Sequence, residues 1–269
     1  MNNFFINAVA NLEIEDPFIE DEDNFYLGGI PRSLKKFENH PSVLEIRKTY
    51  NVSECFSFDN TQVCETERII NRLNKRSATP YNDIPAKVLE KNGDIVSPFI
   101  TKIYENAKKD CIFPSPLKTG NITPVHKKGE RTNKENYRPI SLLPTVSKIY
   151  ERNMHDQIQN YMEKYFSPFL CGFRKGFGTQ HCLAVMVEQW RKAIDAKEYA
   201  GGVLTDLSKA FDCLNHELLI AKLEAYGFDE QSLHFIYSYL SERKQKTRVN
   251  NSFSFEGITI ILVFLKGLY

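Results

Sequence analysis

From about residue 62 onward the apolar positions recur with the period of an amphipathic helix. The pattern predicts a helix over 62–75, with Ile69, Ile70 and Leu73 as its later apolar positions. The breaker-rich loop SATPYNDIP follows. A second helix is predicted over 94–109, where Ile95, Val96, Phe99, Ile100, Ile103, Tyr104 and Ala107 fall at helical spacing. Phe113-Pro114-Ser115-Pro116 stops it. A short strand is expected at 121–125, then a basic loop. A third helix is predicted over 145–165, its stripe of Val146, Ile149, Tyr150, Met154, Ile158, Tyr161 and Met162 reading as a core face.

Thr179 is a candidate N-cap for a fourth helix to about Lys197. Gly201-Gly202-Val203-Leu204-Thr205 reads as a short strand ending at Asp206. Asn215 can cap a helix over 217–226. The next helix, over 230–242, carries Leu233, Ile236, Tyr237 and Leu240. Two strand-like runs, 246–249 and 252–264, flank Asn250-Asn251, a hairpin signal. Residues 1 to about 60 are mixed, acidic and turn-rich, with no element expected before Val43, and read as a linker or appended segment. The class is a helix-rich α+β fold.

Length and composition leave this picture intact. A chain of 269 residues can bury a real core, and 42% hydrophobic with 26% charged residues is an ordinary globular balance. The net charge of +1 carries no information about a polyanionic partner, whereas local charge does. Residues 12–23, LEIEDPFIEDED, hold seven acids and no base. Residues 118–138 hold six bases and two acids, and residues 242–248, ERKQKTR, hold four bases and one acid. The two basic stretches could follow a phosphate backbone; the alternative for each is a solvated charged face. The six cysteines (Cys55, Cys64, Cys111, Cys171, Cys182 and Cys213) lack the spacing of a zinc site and read as reduced packing residues of an intracellular protein. The N-terminus shows no basic region followed by an apolar run, so no secretory signal is expected. The apolar run Ile258 to Leu265 is far shorter than the roughly 20 residues a membrane helix needs, and reads as a buried strand.

Asp206 is the first candidate for chemistry. A carboxylate at the end of VLTD is not needed for packing and would be costly if buried unpaired. It could serve a hard cation such as Mg²⁺, which takes oxygen ligands; it could equally be a turn residue or helix N-cap.

Three segments decide between those readings. NYRPISLL (Asn136 to Leu143), GFRKGFGT (Gly172 to Thr179) and TDLSKAFDCLNHELL (Thr205 to Leu219), in this order and at these separations, resemble the reverse transcriptases of non-LTR (LINE-type) retrotransposons, in their animal jockey-like flavour. NDIPAKVL (Asn82 to Leu89) resembles the segment that opens the family's domain, and PVHKKG (Pro124 to Gly129) its basic fingers loop. The resemblance runs from about Ile69 to Phe255.

The resemblance implies a right-hand polymerase fold of fingers, palm and thumb. It also implies two-metal transfer of nucleotides from dNTP to a DNA primer on an RNA template. Asp206 matches the first of three metal-binding aspartates, with the Leu207 carbonyl beside it. Phe211 matches the aromatic that packs under the incoming sugar, where a bulky ring would exclude a 2′-hydroxyl; ordinary core packing is its other role. Asp212 is expected as a structural acceptor or cap. Arg138 matches the fingers arginine at the triphosphate, a planar donor suited to phosphate. Either Lys127 or Lys128 matches its partner lysine. Gly172, Arg174, Lys175 and Gly178 match positions near template and nucleotide.

The chain also departs from the family. There is no Asp-Asp dipeptide and no Gln-Gly, and after Asp206 the only aspartates are Asp212 and Asp229. From about Gly257 the sequence no longer follows the family's pattern. The expectation is therefore an appended segment over 1–60, fingers and partial palm over 61–257, and a divergent tail over 258–269, with the thumb and half of the palm missing. One carboxylate cannot hold two Mg²⁺ ions, so such a chain is expected to be inactive by itself, with a non-catalytic RNA or template–primer binding remnant as the alternative.

Overall fold

The computed structural model of the chain describes residues 36–80, 83–206, 214–249 and 252–253. It resolves into two compact units, one of residues 1–158 with 209–269 and one of residues 159–208.

The larger unit begins earlier than the apolar pattern suggests. Helix α1 (Pro41–Thr49) opens with Pro41 in its first turn and His40 as N-cap, whose ring nitrogen accepts from the Ser42 amide at 3.2 Å. Phe37, Val43 and Ile46 are buried against Ala221 and Ala225. Phe56 then joins a short bridge, its amide donating to the Gly227 carbonyl at 2.8 Å and its carbonyl accepting from Asp229 at 2.9 Å. Within the stretch 1–60 read as a linker or appended segment, the described residues from 36 on pack against residues 221–235. Their apolar residues show no clear period, yet Phe37, Val43, Ile46, Tyr50, Phe56 and Phe58 find partners more than 150 residues away.

Helix α2 (Val63–Arg72) starts where expected, with Glu65 accepting from the Gln62 amide at 3.1 Å. After the short α3 (Ala86–Lys91) comes α4 (Gly93–Lys109). Thr66 and Thr101 share a buried hydroxyl contact of 2.6 Å between α2 and α4. Helix α5 (Thr145–Met162) is anchored at its start by Asp83, whose carboxylate accepts from the Thr145 amide at 2.7 Å and hydroxyl at 3.0 Å. The aspartate of NDIPAKVL thus serves as a fixing point for α5. The core between these helices is aromatic. Tyr104 stacks on Tyr150 at 4.4 Å between centroids, the Tyr150 hydroxyl donates to the Ile100 carbonyl at 3.0 Å, and Phe113 and Phe235 close the cluster.

The sheet has the order β2-β1-β3-β4. Strand β1 (Thr119–His126) pairs antiparallel with β2 (Tyr137–Leu142), a strand absent from the sequence expectation. β1 also pairs in parallel with β3 (Lys244–Val249), which turns into β4 (Ser252–Phe253) through the anticipated hairpin. Between the two legs of the β1–β3 connection lie α7 (His216–Ala225), capped by Asn215, and α8 (Glu230–Leu240), capped by Asp229.

In the smaller unit a single turn at Glu163–Tyr165 leads into a loop and then α6 (Thr179–Asp195). Its N-cap is Gly178, extended and without a side chain to accept, so Thr179 is the first helical residue rather than the cap. No side chain of α6 is buried.

Candidate nucleic-acid interface

The hairpin of β1 and β2 holds the basic loop in a defined shape. The register pairs Val125 with Arg138 and His126 with Tyr137, and the Lys127 amide donates to the Asn136 carbonyl at 2.7 Å. Side chains tie down the loop itself. Asn136 Nδ2 donates to the Glu130 carbonyl at 2.9 Å, the Tyr137 hydroxyl to the Arg131 carbonyl at 2.9 Å, and the His126 ring meets the Gly129 carbonyl at 3.0 Å. Gly129 sits at φ +81°, and a Cβ there would lie 2.7 Å from Asn136 Nδ2, so the turn requires glycine.

Lys127, Lys128 and Arg138 are all exposed. Side chains alternate along a strand, so Arg138 shares its face with its partner Val125, and Lys127 follows Val125 on that same face. The last pair is His126 with Tyr137, so Lys127 and Lys128 both lie past the paired residues, Lys127 still bonded to Asn136 through its amide.

The sequence-predicted residues of the smaller unit are less uniform. Asp206 is exposed and lies in irregular backbone. The expected strand over 201–205 does not form: Val203 and Leu204 are 91% and 92% exposed. A strand exists through the hydrogen bonds of a neighbour, and among the described residues none pairs with this run. Leu207, Phe211 and Asp212 lie outside the described residues. Arg174 is committed within its own unit. Its Nε donates to Glu163 at 2.7 Å, another nitrogen to the Ser167 carbonyl at 3.2 Å, and the guanidinium sits 4.4 Å from the Phe177 ring. Lys175 is exposed. A Cβ at Gly172 or Gly178 would meet nothing within 4 Å, so packing does not demand glycine at either position. Among the described residues no three His, Cys, Asp or Glu side chains gather as a metal site, and the carboxylates present do not fit a two-metal centre.

A buried ionic cluster in the larger unit was not anticipated. Arg243, counted in sequence as part of a basic surface stretch, is 2% exposed. Its guanidinium lies 3.8 Å from Glu151 of α5, donates to the Tyr239 carbonyl at 2.9 Å and stacks 4.6 Å from the Tyr239 ring. Ser147 donates to Glu151 at 2.9 Å. Burial pushes the Glu151 carboxyl up to about 7, against the opposing pull of Arg243, the Ser147 and Tyr239 hydroxyls and Lys148. Burial and the same guanidinium hold His216 below its ordinary value. RKQKTR is polar throughout, so no alternation in polarity marks Arg243, Gln245 and Thr247 as the buried positions.

Residues 125–267, more than half of the chain, match the model of the family described as reverse transcriptase (RNA-dependent DNA polymerase). The chain belongs to the reverse transcriptase family. Its relatives agree with the non-LTR branch that the three motifs imply. It is 33% identical over 159 residues, or 58% of its length, to a probable RNA-directed DNA polymerase from transposon BS of Drosophila melanogaster. The corresponding enzyme of the X-element in the same organism is 31% identical over 72% of the chain. That of mobile element jockey is 30% identical over 66%. The chain spans about a fifth of the length of these curated relatives: 17%, 22% and 20%. The reverse transcriptase match extends to residue 267, through the run that the motif comparison set apart from about Gly257. No helix among the described residues is long and apolar enough to cross a membrane.

Proposed function

We propose that these residues form the fingers and the first part of the palm of a right-hand, RNA-directed DNA polymerase. In this reading the β1–β2 hairpin faces the template and the incoming nucleotide. The observation that carries it is the hairpin, whose register places Arg138 beside Val125 and whose next backbone bond, Lys127 to Asn136, supports Lys127 as a neighbour of Arg138 on one exposed face. Arg138 would offer a planar fork to the triphosphate of a dNTP, and Lys127, favoured over Lys128 by the alternation, a point charge. Asp206 would be the first metal ligand, with the Leu207 carbonyl beside it and Phe211 under the sugar. Gly172, Lys175 and Gly178 would lie near the RNA template, and the contacts of Arg174 to Glu163 and Phe177 favour a strut for that loop.

The relatives' activity depends on the family's divalent metal, expected to be Mg²⁺, and the described residues do not complete its site. The 269 residues alone are therefore proposed to bind an RNA template annealed to a DNA primer without extending it. Primer extension with Mg²⁺ or Mn²⁺, run beside a salt-dependent gel shift, tests both halves. The expected result is a salt-sensitive shift and no product. Product that vanishes in Asp206→Asn would overturn the inactivity, and the absence of any shift would overturn the binding.

A further inference from the structure

We propose that the acidic segment 12–23 of this chain docks on the basic face of α4, its Phe18 entering the cavity between α4 and the start of α8 and its acids pairing with Lys102 and Lys109. The proposal stands apart from the nucleic-acid reading, since none of these residues belongs to the candidate interface.

The cavity has a volume of about 360 Å³ and is walled by the second half of α4, by residues from 57–60 and by the first turns of α8. That is the small end of the range for ligand pockets, about 300–1,000 Å³, and suits one inserted side chain better than a cofactor. Its charge is unbalanced: three lysines, Lys102, Lys108 and Lys109, line it with one carboxylate, Glu105. Glu105 is already engaged, by Lys108 Nζ at 2.8 Å and by the Thr61 amide at 2.8 Å. Lys108 is buried and also donates to the Asp59 carbonyl and the Thr61 hydroxyl. Lys102 and Lys109 are exposed, and among the described residues neither forms an ion pair. They stand seven positions apart on one face of α4, about 10.5 Å along the axis, with Asn106 between them. The apolar part of the cavity is Phe58, half-buried, its ring edge-on to the buried Phe235 at 5.9 Å. Beside Lys102 the same helix carries Phe99 and Ile103, which helical spacing marks for a core and which are 69% and 55% exposed.

Residues 12–23 lie outside the described residues; their sequence, LEIEDPFIEDED, supplies the complement. Seven acids and no base meet a face with two cations to spare. The acids fall into two groups, one ending at Asp16 and one beginning at Glu20, on either side of Pro17-Phe18-Ile19. Extended, as Pro17 favours for the residue before it, Asp16 and Glu20 would stand about 13 Å apart, within reach of two lysines on flexible stems about 10.5 Å apart. Phe18 would then face the cavity from between them, against the Phe58 ring, and Ile19 would meet the apolar edge at Phe99 and Ile103. Chain length permits it. Phe37 packs on Ala225, and Gln231, which lines the cavity, is six residues beyond Ala225, at most about 22 Å of chain. The fourteen residues from Asp23 to Phe37 can span about 46 Å.

The test uses the full chain and a fluorescein-labelled peptide of residues 12–23, with binding read by anisotropy. In the wild type the chain's own segment competes with the peptide. For a tether giving an effective concentration of order 1 mM and a peptide affinity of about 0.1 mM, D16N/F18A/E20Q should bind the peptide about tenfold more tightly than the wild type. In that background K102E/K109E should weaken the peptide at least about fivefold, and a peptide carrying D16K/E20K should regain the loss, which also shows that the variant is folded. Equal peptide affinity in the wild type and D16N/F18A/E20Q would overturn the proposal. So would binding indifferent to K102E/K109E, or a lysine peptide that regains nothing. Binding of a single-stranded RNA that depends on Lys102 and Lys109, without binding of the peptide, would assign the cavity to a phosphodiester and overturn it as well. A wild-type dimer that D16N/F18A/E20Q lacks would move the segment onto a second copy and overturn docking within one chain.

Discussion

Helices α5 and α6 are of similar length and both carry apolar residues at helical spacing, yet they end in opposite environments. In α5, Ile149, Tyr150 and Met154 are buried. In α6, Leu183, Val187, Trp190 and Ile194 recur at spacings of four, three and four, and every one is exposed. The difference is not in the pattern. An amphipathic stripe states which face would be buried, while burial itself needs a second surface, and tertiary packing supplies most of a helix's stability. For α5 that surface is the Tyr104, Phe113 and Phe235 cluster. For α6 no described residue covers the stripe.

The largest effect expected from this contrast is in the cost of truncation. Tyr104→Ala should destabilise the larger unit by about 3–5 kcal/mol, by loss of apolar contact and creation of a cavity. Leu183→Ala should change stability by no more than about 0.5 kcal/mol, as at an exposed site. Urea titration followed by far-UV circular dichroism reads the first, and the fluorescence of Trp190, the chain's single tryptophan, reads the second locally. A cost for Leu183→Ala comparable with that for Tyr104→Ala would mean that the α6 stripe is covered in solution.

The buried Glu151–Arg243 pair gives the second, in the region whose core is complete. With the folded carboxyl raised to about 7 from an ordinary 4.5, the folded chain keeps a proton that the unfolded chain releases. The unfolded state therefore gains as pH rises between those values. Stability should fall from about pH 4.5 to about pH 7, by up to about 3 kcal/mol, and level off above. The slope over that window should be reduced in Glu151→Gln, as read by melting temperature against pH. An unchanged slope in the variant would show that another group titrates there.

These expectations also show what the sequence could and could not reveal. The helices α2, α4, α5, α7 and α8 were legible because apolar residues recur with the helical period, helped at α7 by Asn215 as a recognisable cap. Strand β2 was not. Its outward and inward residues do not alternate in polarity, and Pro139 argues against a strand until Pro124 is found opposite it, at a position where neither needs an amide. The run 201–205 failed the other way, with strand-like composition and no described neighbour to hydrogen-bond. Of the candidate site, Arg138 and the pair Lys127 or Lys128 could be named from motif resemblance, but which lysine stands nearer Arg138 depends on how the hairpin closes beyond His126 and Tyr137. Arg243 was invisible as a core residue because burying a guanidinium depends on Glu151, nearly a hundred positions earlier.

The smallest effect compares the first turns of α6 and α7. Each carries near its start a side chain that can cap, but only one does so. Asn215 Oδ1 accepts from the Leu218 amide at 3.1 Å, filling one of the donors that every helix start leaves open. Thr179 stands one position too late, since the extended residue before α6 is Gly178. Asn215→Ala should therefore cost about 1 kcal/mol, and because α7 packs on α1 the loss should appear in the global transition of the larger unit. Thr179→Ala should cost a few tenths at most, since alanine suits a helix interior and no cap is removed. Equal costs at the two positions would place the α6 cap at Thr179 after all, and would bring its first turn into line with the sequence expectation instead of the structure.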